Sequence, residues 1–393
     1  MRAFDNTLTQ LLNRDVAEVR AWERAAFEQL AGDRAGRIVL FGAGNLGRKA
    51  ARGLARAGVT PLAFADNNSA IWGQTVAGLP VLSPEEAAAR HGQDAAFVVT
   101  IWSAGSTSRF AATRAQLHRL GCSCVLPLGP LFWRHAAHLL PHYALDLPHN
   151  VVAERDAVRE AATLWSDDRS RDEYRAQIRW RLEHDFDVLP PRAEETEYFP
   201  EDLPDLGPFD HYVDCGAYDG DTVGRFLSRR TPFSRITAFE PDPDNFAKLQ
   251  AFVSGRPAAD RDRIVCHRAA VSDAEGTLEF FSDGMPDASL NALARQDRRT
   301  VSVAAMRVDD ALQDGPPATY IKLDVEGAEA QALRGAAGTI ARHRPSLAVC
   351  VYHRQVDIWQ LPLQLRAMCD GYRFFLRAHS EGVFDLVCYA IPA

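Results

Sequence analysis

The chain has 393 residues, of which 47% are hydrophobic and 24% are charged, as in soluble globular proteins with more than one domain. Its formal net charge of −8 argues against a general nucleic-acid binder, and no run approaches the roughly 18 apolar residues that span a bilayer. The amino terminus carries early charges and no apolar segment, so we expect no signal peptide and a cytoplasmic location. The seven cysteines form no CxxC pair, which favours reduced core residues over a zinc site.

The apolar pattern predicts an α/β fold with two Rossmann-like domains. We expect a helical segment over residues 1–35, where apolar side chains recur at three- and four-residue steps. A first Rossmann-like domain is expected over 36–130, and a helical connector and linker over 131–208. A second α/β domain is expected over 209–393. The domains over 36–130 and 209–393 each have one glycine-rich turn between a predicted strand and a predicted helix, which indicates two nucleotide-type sites.

The first turn lies in the sequence FGAGNLG, where Gly42, Gly44 and Gly47 have G-x-G-x-x-G spacing and Asn45 stands between them. The next predicted strand ends at Asp66, 19 residues beyond Gly47, near the roughly 20 expected for an acid that binds ribose hydroxyls. The free N–H groups at the start of the following helix favour a diphosphate. The alternative is a purely structural Rossmann-like half.

The segment from Arg37 to Leu128 resembles the amino-terminal nucleotide-sugar-binding domain of bacterial sugar O-acyltransferases, through FGAG, ADNN and GLPVLSPEE. The resemblance implies that the ligand of this domain is a nucleotide-sugar rather than NAD. No acyltransferase repeat domain follows in the sequence, so only binding carries over from that family.

The second turn lies in the sequence VDCGAYDGDT. Asp214, Gly216 and Gly220 suit a tight turn that brings backbone close to a ligand, because glycine has no Cβ. Glu240 ends the next predicted strand, where its two carboxylate oxygens can accept from two ribose hydroxyls. Asp273, in a later turn, either accepts from an adenine amino group or forms a simple Asx turn.

Titratable side chains also stand at two further strand ends. Asp324 follows a predicted strand with Lys322 before it and Glu326 after it, and His353 ends the next strand. Carboxyl ends of parallel strands meet at one crevice, so we expect these four residues to be catalytic. His353 is the candidate general base, and Asp324 orients the substrate or binds the cofactor. Alternatively, Asp324, Glu326 and His353 ligate a divalent metal ion, or they are a strand-end histidine and two acids favoured by a helix dipole.

Five motifs together resemble the FkbM family of S-adenosylmethionine-dependent O-methyltransferases: VDCGAYDGDT, FEPDPDNFAKL, AAVSDAEGTLEFF, IKLDVEGAEAQALRGA and VYHRQVDIW. The resemblance runs from about His211 to the end. It implies a class I methyltransferase fold, whose mostly parallel sheet ends in an antiparallel strand pair. It also implies a cofactor site in which the turn cradles the methionine end, the acid after the second strand holds the ribose, and Asp273 lies near adenine. The residues so implied are Asp214, Gly216, Ala217, Tyr218, Asp219, Gly220, Thr222, Glu240, Pro241, Asp273 and Asp324. Tyr218 stands where the family often has asparagine, so only its backbone contact carries over.

We therefore predict an S-adenosylmethionine-dependent O-methyltransferase that acts on a hydroxyl of a saccharide, a nucleotide-sugar or a glycosylated metabolite, as in polysaccharide biosynthesis. Expected partners are a small-molecule or saccharide acceptor, a separate nucleotide-sugar ligand in the amino-terminal domain and a second copy of the chain in a homo-oligomer. Two alternatives stay open. One is an NAD-dependent oxidoreductase that uses the amino-terminal turn, and the other is a non-catalytic binding or scaffold protein with degenerate sites.

Overall fold

The computed structural model describes residues 8–102, 110–190, 196–203, 206–282, 299–380 and 382–393. Among these residues, no helix combines the length and the apolar character that a bilayer span requires.

The amino-terminal half contains a six-stranded sheet in the order β3-β4-β2-β1-β5-β6. Its strands are β1 Ile38–Phe41, β2 Ala63–Ala65, β3 Thr75–Val76, β4 Leu79–Leu82, β5 Ala96–Val99 and β6 Val125–Pro127. Its helices are α1 Val16–Ala31, α2 Asn45–Arg56, α3 Pro84–His91 and α4 Phe110–Arg119. Neighbouring strands are parallel except for the β3–β4 hairpin. Strands β1, β2 and β5 are buried along their whole length, as expected for a parallel sheet covered on both faces.

Short helices connect the two halves of the molecule. They are α5 Leu128–Arg134, α6 Ala136–Leu139, α7 Pro148–Ala153, α8 Arg155–Ala162 and α9 Asp168–Glu183. Helix α9 begins where Asp167 accepts the backbone N–H of Ser170, and it ends at His184 in the left-handed conformation. The segment around its start lies along the outer edge of the second sheet, where the Ser170 hydroxyl accepts the backbone N–H of Leu376.

The carboxy-terminal half contains a seven-stranded sheet in the order β15-β16-β14-β13-β7-β8-β9 and a three-stranded sheet in the order β10-β12-β11. The strands are β7 His211–Cys215, β8 Arg235–Phe239, β9 Ile264–His267, β10 Ala269–Val271, β11 Gly276–Ser282, β12 Arg299–Met306, β13 Tyr320–Leu323, β14 Ser346–Cys350, β15 Tyr372–Ala378 and β16 Leu386–Pro392. The helices are α10 Asp221–Ser228, α11 Pro243–Ser254, α12 Ala258–Arg261, α13 Val308–Ala311, α14 Glu329–Gly335, α15 Ala337–His343 and α16 Asp357–Met368.

This second sheet confirms the fold predicted from the sequence. Strands β9, β8, β7, β13 and β14 are parallel, and β16 and β15 form the terminal antiparallel pair. The strand order reverses between β7 and β13. In open sheets of this kind, ligands bind at such a reversal, outside the carboxyl ends of the strands.

One hydrophobic core runs through both halves. A single cluster of buried side chains includes Leu40 of β1, Phe132 of α5, Trp180 of α9 and Val349 of β14. Polar contacts reinforce it across the junction, since Glu154 accepts from the indole N–H of Trp359 at 2.7 Å. The halves are therefore packed together, with the carboxyl ends of both sheets directed at the same space.

Candidate active site

The two glycine-rich turns, expected to serve different ligands, open into one cavity of about 700 Å³. The residues after β7, β8 and β13 line one side of this cavity, and the residues after β1, β2 and β5 line the other. Tyr143 of the connector and Tyr198 complete the wall between them. The turns therefore belong to a single site built from both halves.

The turn after β7 requires glycine at position 216. Gly216 has φ +89°, and a Cβ there would lie 1.8 Å from the backbone oxygen of Asp324. Below the turn, Lys322 of β13 lies beside Asp214 of β7 in the parallel register. Its ammonium donates to Asp214 Oδ1 at 3.0 Å and to the carbonyl oxygen of Gly216 at 2.6 Å. This buried ion pair holds the floor of the turn.

The role expected for Lys322 in catalysis does not fit these contacts. Burial alone would lower the pKa of Lys322, but the carboxylates of Asp214 and Asp324 raise it above its ordinary value. The ammonium therefore stays charged and committed to Asp214. Asp214, expected to bind cofactor, is fully buried and is not among the described residues that line the cavity. It supports the turn from below.

The two acids predicted to bind ribose, Glu240 and Asp66, are each held by two backbone N–H groups. Glu240 accepts the backbone N–H of Tyr218 at 2.9 Å and that of Asp242 at 2.8 Å. Asp66 accepts the backbone N–H of Ala43 at 2.7 Å and that of Asn68 at 2.8 Å. Both carboxylates line the cavity, and each oxygen keeps a lone pair for a ligand hydroxyl. Burial raises the pKa of Glu240 to about 8.

His353 lies behind the cavity wall among three carboxylates, with 2% of its side chain exposed. Its Nδ1 is 2.8 Å from Glu329 Oε1, and its Nε2 is 3.3 Å from Asp324 Oδ1 and 3.7 Å from Glu326 Oε1. Burial alone would lower the pKa of His353, but Glu329 and Glu326 raise it well above its ordinary value. A buried imidazolium that is not among the described residues lining the cavity does not fit the general base expected from the sequence.

The same contacts bear on the expected metal site. Within the described residues, the one trio with ligand atoms close enough to share an ion is Asp324, Glu329 and His353, so Glu329 replaces the expected Glu326. Each ring nitrogen of His353 already faces a different carboxylate at ion-pair distance. A protonated histidine therefore accounts for this cluster without an ion.

Asp324 and Glu326 both line the cavity but differ in charge state. Burial would raise the pKa of Asp324, yet Lys322 and His353 lower it, and the Tyr198 hydroxyl donates to its Oδ2 at 2.8 Å. Burial raises the pKa of Glu326 to about 7. Asp324 is therefore a fixed anion, whereas Glu326 can take up and release a proton near neutral pH.

Backbone strain is concentrated around the cavity. Nine described non-glycine residues have positive φ, and five of these line the cavity: Tyr143, Tyr198, Tyr218, Glu326 and Asp385. A side chain in this conformation costs roughly 1 kcal/mol or more, and such residues cluster at functional sites. Sequence carries no direct signal for them, since the conformation depends on the surrounding packing.

The remaining expected residues divide into two groups. Thr222, Pro241, Gly42, Gly44 and Asn45 line the cavity. The second group belongs to the two glycine-rich turns but is not among the described residues that line the cavity: Ala217, Asp219, Gly220 and Gly47. A Cβ on Gly47 would lie 1.9 Å from the Gly42 oxygen, and one on Gly220 would lie 2.7 Å from the ring of Phe252.

Asp273 forms an ion pair and does not contribute to the described lining of the cavity. Its carboxylate accepts from Arg334 at 2.8 Å in a partly exposed ion pair, and it is not among the described residues that line the cavity. The contact with adenine expected for Asp273 does not fit this position. The residues in the corresponding part of the wall are Ala269, Ala270 and Val271.

Among the cavity residues that no sequence motif pointed to are Tyr143, Glu197, Tyr198 and Asp385. Burial raises the pKa of Glu197 to about 7 and that of Asp385 to about 6. Tyr198 stands in a segment rich in Pro and acids that we interpreted as linker. Its ring is buried, however, and its backbone N–H donates to the Tyr389 hydroxyl.

Residues 214–379 match the sequence model of the methyltransferase FkbM domain. This part of the chain belongs to the FkbM methyltransferase family. The match contains the turn after β7, both acids after β13 and His353. The carboxy-terminal half therefore contains an FkbM methyltransferase domain, which supports methyltransferase activity with S-adenosylmethionine as the donor.

Among solved structures, methyltransferase FkbM from Methylobacillus flagellatus KT covers 96% of this chain and 100% of its own, with a TM-score of 0.72 and 20% identity. At this identity the likeness shows the fold, and it includes both halves of the molecule. A putative rRNA methylase from Clostridium thermocellum covers 46% of this chain and 87% of its own. The fibrillarin from Aeropyrum pernix in complex with S-adenosylmethionine covers 48% and 68%. Both are 13% identical with TM-scores of 0.30, values too low to indicate a shared fold. No curated protein matched the sequence.

The donor side of the FkbM domain fits S-adenosylmethionine. Gly216 lines the cavity at a position where no side chain fits, and Glu240 presents a buried carboxylate with free lone pairs. Apolar side chains of Phe239 and Val271 stand beside them in the cavity wall. A pocket with a few polar groups among apolar walls is typical of a cofactor site.

Proposed function

We propose that the protein transfers the methyl group of S-adenosylmethionine to a hydroxyl of a saccharide, a nucleotide-sugar or a glycosylated metabolite. The observation that carries this proposal is the single cavity. It contains the turn of the FkbM domain, a carboxylate with a pKa of about 7 at Glu326, and a further wall opposite the donor side. Bringing two reactants together in one enclosed space removes much of the entropic barrier to their reaction.

The donor would be held by residues of the carboxy-terminal half. The backbone at Gly216 and Tyr218 and the side chain of Thr222 would bind its methionine end, and Glu240 would accept from its ribose. S-adenosylmethionine supplies a methyl group on a sulfonium, which an oxygen nucleophile attacks in line. The fixed anion Asp324 lies in the same wall, where it favours the positive charge of the donor.

Glu326 replaces His353 in this proposal as the proton acceptor. It lines the cavity, and its pKa of about 7 gives it both proton-binding states near neutral pH. The acceptor hydroxyl would give its proton to Glu326 as its oxygen bonds to the methyl carbon and the bond from that carbon to the donor sulfur breaks, which leaves the sulfur as a neutral thioether. His353 is a positioning residue, since its imidazolium holds Asp324 and Glu326 from behind.

The decisive experiment measures transfer of a labelled methyl group from S-adenosylmethionine to a panel of neutral, amino and acidic sugars, free and nucleotide-linked. We expect transfer to a hydroxyl, with kcat about 100-fold lower in Glu326→Gln because general-base catalysis contributes about that factor or more. Donor binding by Glu326→Gln, measured by calorimetry, should stay within about threefold of wild type.

Two further arms separate the alternatives. Transfer should survive a metal chelator, because His353 rather than an ion bridges the carboxylates. Calorimetry should give donor binding and no binding of NAD. Binding of NAD without S-adenosylmethionine would favour an oxidoreductase, and absence of transfer to any hydroxyl would overturn the proposed function.

A further inference from the structure

The cavity is larger than the donor side alone. After the residues proposed to bind the donor are set aside, the lining still contains Gly44, Asn45 and Asp66 from the amino-terminal half. It also contains a group of rings, which we call the aromatic wall: Trp102, His142, Tyr143, Tyr352 and Phe384. Glu326 lines the same cavity.

The aromatic wall is a continuous surface contributed by four separate parts of the chain. The ring centroids of Trp102 and Phe384 are 4.7 Å apart, and those of Tyr143 and Phe384 are 5.1 Å apart. Tyr143 and Tyr352 are stacked, with 24° between their planes. A broad wall of ring carbons with polar edges suits a ligand that has one apolar face and many hydroxyls, which is the character of a sugar ring.

The charged side chains that line the cavity with the aromatic wall limit the chemical class of the ligand further. The carboxylates of Glu197, Asp324, Glu326 and Asp385 line the cavity. Among the described lining residues the one ammonium is that of Lys322, which is committed to Asp214 and Gly216. Carboxylates accept hydrogen bonds from hydroxyl and ammonium groups and repel acids. A sugar ring that carries a carboxylate or phosphate of its own is therefore disfavoured at this position.

We propose that the amino-terminal glycine turn is not a separate nucleotide site but, together with the aromatic wall, the acceptor half of the methyl-transfer cavity. The acceptor is a neutral or amino-bearing saccharide, without an acidic group on the ring that is methylated. This inference rests on the proposed methyl transfer and adds to it where the acceptor binds and what charge it carries. It replaces the expectation of a second ligand that is independent of the reaction.

Gly44 offers a direct test, because it lines the cavity and has φ −70°. A Cβ at Gly44 would meet no atom within 4 Å, so Gly44→Leu should fold and extend into the acceptor half. We expect its kcat/KM for the acceptor to fall at least tenfold and its dissociation constant for S-adenosylmethionine to stay within twofold of wild type. Gly36→Leu is the matched control, since Gly36 also has no atom within 4 Å of its Cβ position and is not among the described cavity residues. Gly36→Leu should keep the wild-type kcat/KM for the acceptor and the wild-type dissociation constant for S-adenosylmethionine.

A second variant and a substrate panel complete the experiment. Asn45→Leu changes an exposed residue that lines the cavity beside Gly44. If Gly44→Leu fails to fold, Asn45→Leu should show the same loss of kcat/KM for the acceptor. The panel compares neutral hexosides, amino hexosides and hexuronic acids, each free and as the UDP derivative. We expect methylation of the first two classes at least tenfold faster than of the third.

The outcomes distinguish this inference from the proposed function. Wild-type acceptor kinetics in the folded cavity variants, or preferred methylation of hexuronic acids, would overturn the acceptor assignment and leave methyl transfer intact. Methylation of hydroxyls outside the sugar panel would also overturn it. Donor binding without transfer to any hydroxyl would overturn the proposed function itself.

Discussion

Neighbouring groups, rather than residue type, decide which side chain around the cavity can carry a proton. An isolated histidine titrates near neutral pH, which is why His353 was the base expected from the sequence. The structure places Glu329 of α14 at 2.8 Å from it, a contact that no local pattern predicts. His353 is therefore charged. Burial raises the pKa of Glu326 to about 7, into the range that was expected for His353.

We expect the activity to rise with pH between about 6 and 8. Glu326 accepts a proton only in its anionic form, and burial raises its pKa to about 7, so kcat/KM for the acceptor should increase through that pKa and then level off. A pH profile at saturating donor measures this, and Glu326→Gln should remove the rising limb. A profile that falls over this range would contradict the role of Glu326.

The buried imidazolium should also stabilise the fold. His353→Gln removes the cation and leaves the carboxylates unpaired, which costs about 3 kcal/mol of unfolding free energy in comparable buried pairs. Because the folded pKa of His353 is raised, the stabilisation is fully present below about pH 6.5 and is lost as pH rises through the folded value.

Urea unfolding at several pH values measures this effect. His343→Gln, at the end of α15 where the side chain is partly exposed, is the control and should stay within about 0.5 kcal/mol of wild type. A larger effect of His353→Gln at high pH than at pH 6 would contradict the assignment of the charge.

At the scale of elements, the turns and strands were predictable and the helices that support them were less so. The order strand, glycine turn, helix and acid is local, so it located Gly42, Gly216 and Glu240 correctly at the carboxyl ends of strands. Tyr198 was missed because composition marks its segment as irregular, and only the packing against β13 and β16 makes it part of the site.

The turn after β7 should tolerate no side chain. Gly216→Ala places a Cβ 1.8 Å from the Asp324 oxygen at φ +89°, so we expect a loss of more than about 2 kcal/mol of stability and a marked loss of affinity for S-adenosylmethionine. Gly58→Ala is the matched control, with φ +74° but no atom within 4 Å. It should cost about 1 kcal/mol and keep donor affinity. Equal behaviour of the two variants in calorimetry would contradict the steric explanation.

For the whole molecule, the joining of two glycine-rich turns in one cavity could not be predicted from the sequence. Each turn is specified by residues within about 30 positions of it, whereas their meeting depends on how two sheets pack through the connector. The pattern of Gly42, Gly44 and Gly47 is compatible with any of several ligands. The arrangement of the halves, which places it in one cavity with the FkbM turn, is the basis on which we propose that it serves the same reaction.

Because one core crosses both halves, we expect the protein to unfold as a single unit. Differential scanning calorimetry should give one transition, with calorimetric and van't Hoff enthalpies in agreement. S-adenosylmethionine should raise the midpoint of that whole transition, since it binds the folded state alone. Two resolved transitions, with one shifted by the donor, would contradict a shared core.

Strand β15 has a consequence for self-assembly. It is the outer strand of the seven-stranded sheet, and an uncovered outer strand is a template for pairing with another chain. Here the Ser166 and Ser170 hydroxyls accept the backbone N–H groups of Phe374 and Leu376, and the Ser166 N–H donates to the Phe374 carbonyl. The connector thus occupies the positions that a strand from a second copy would use. Pairing of β15 with a strand of a second copy is therefore blocked at these positions, so we do not expect the sheet to extend from one copy to the next on this side.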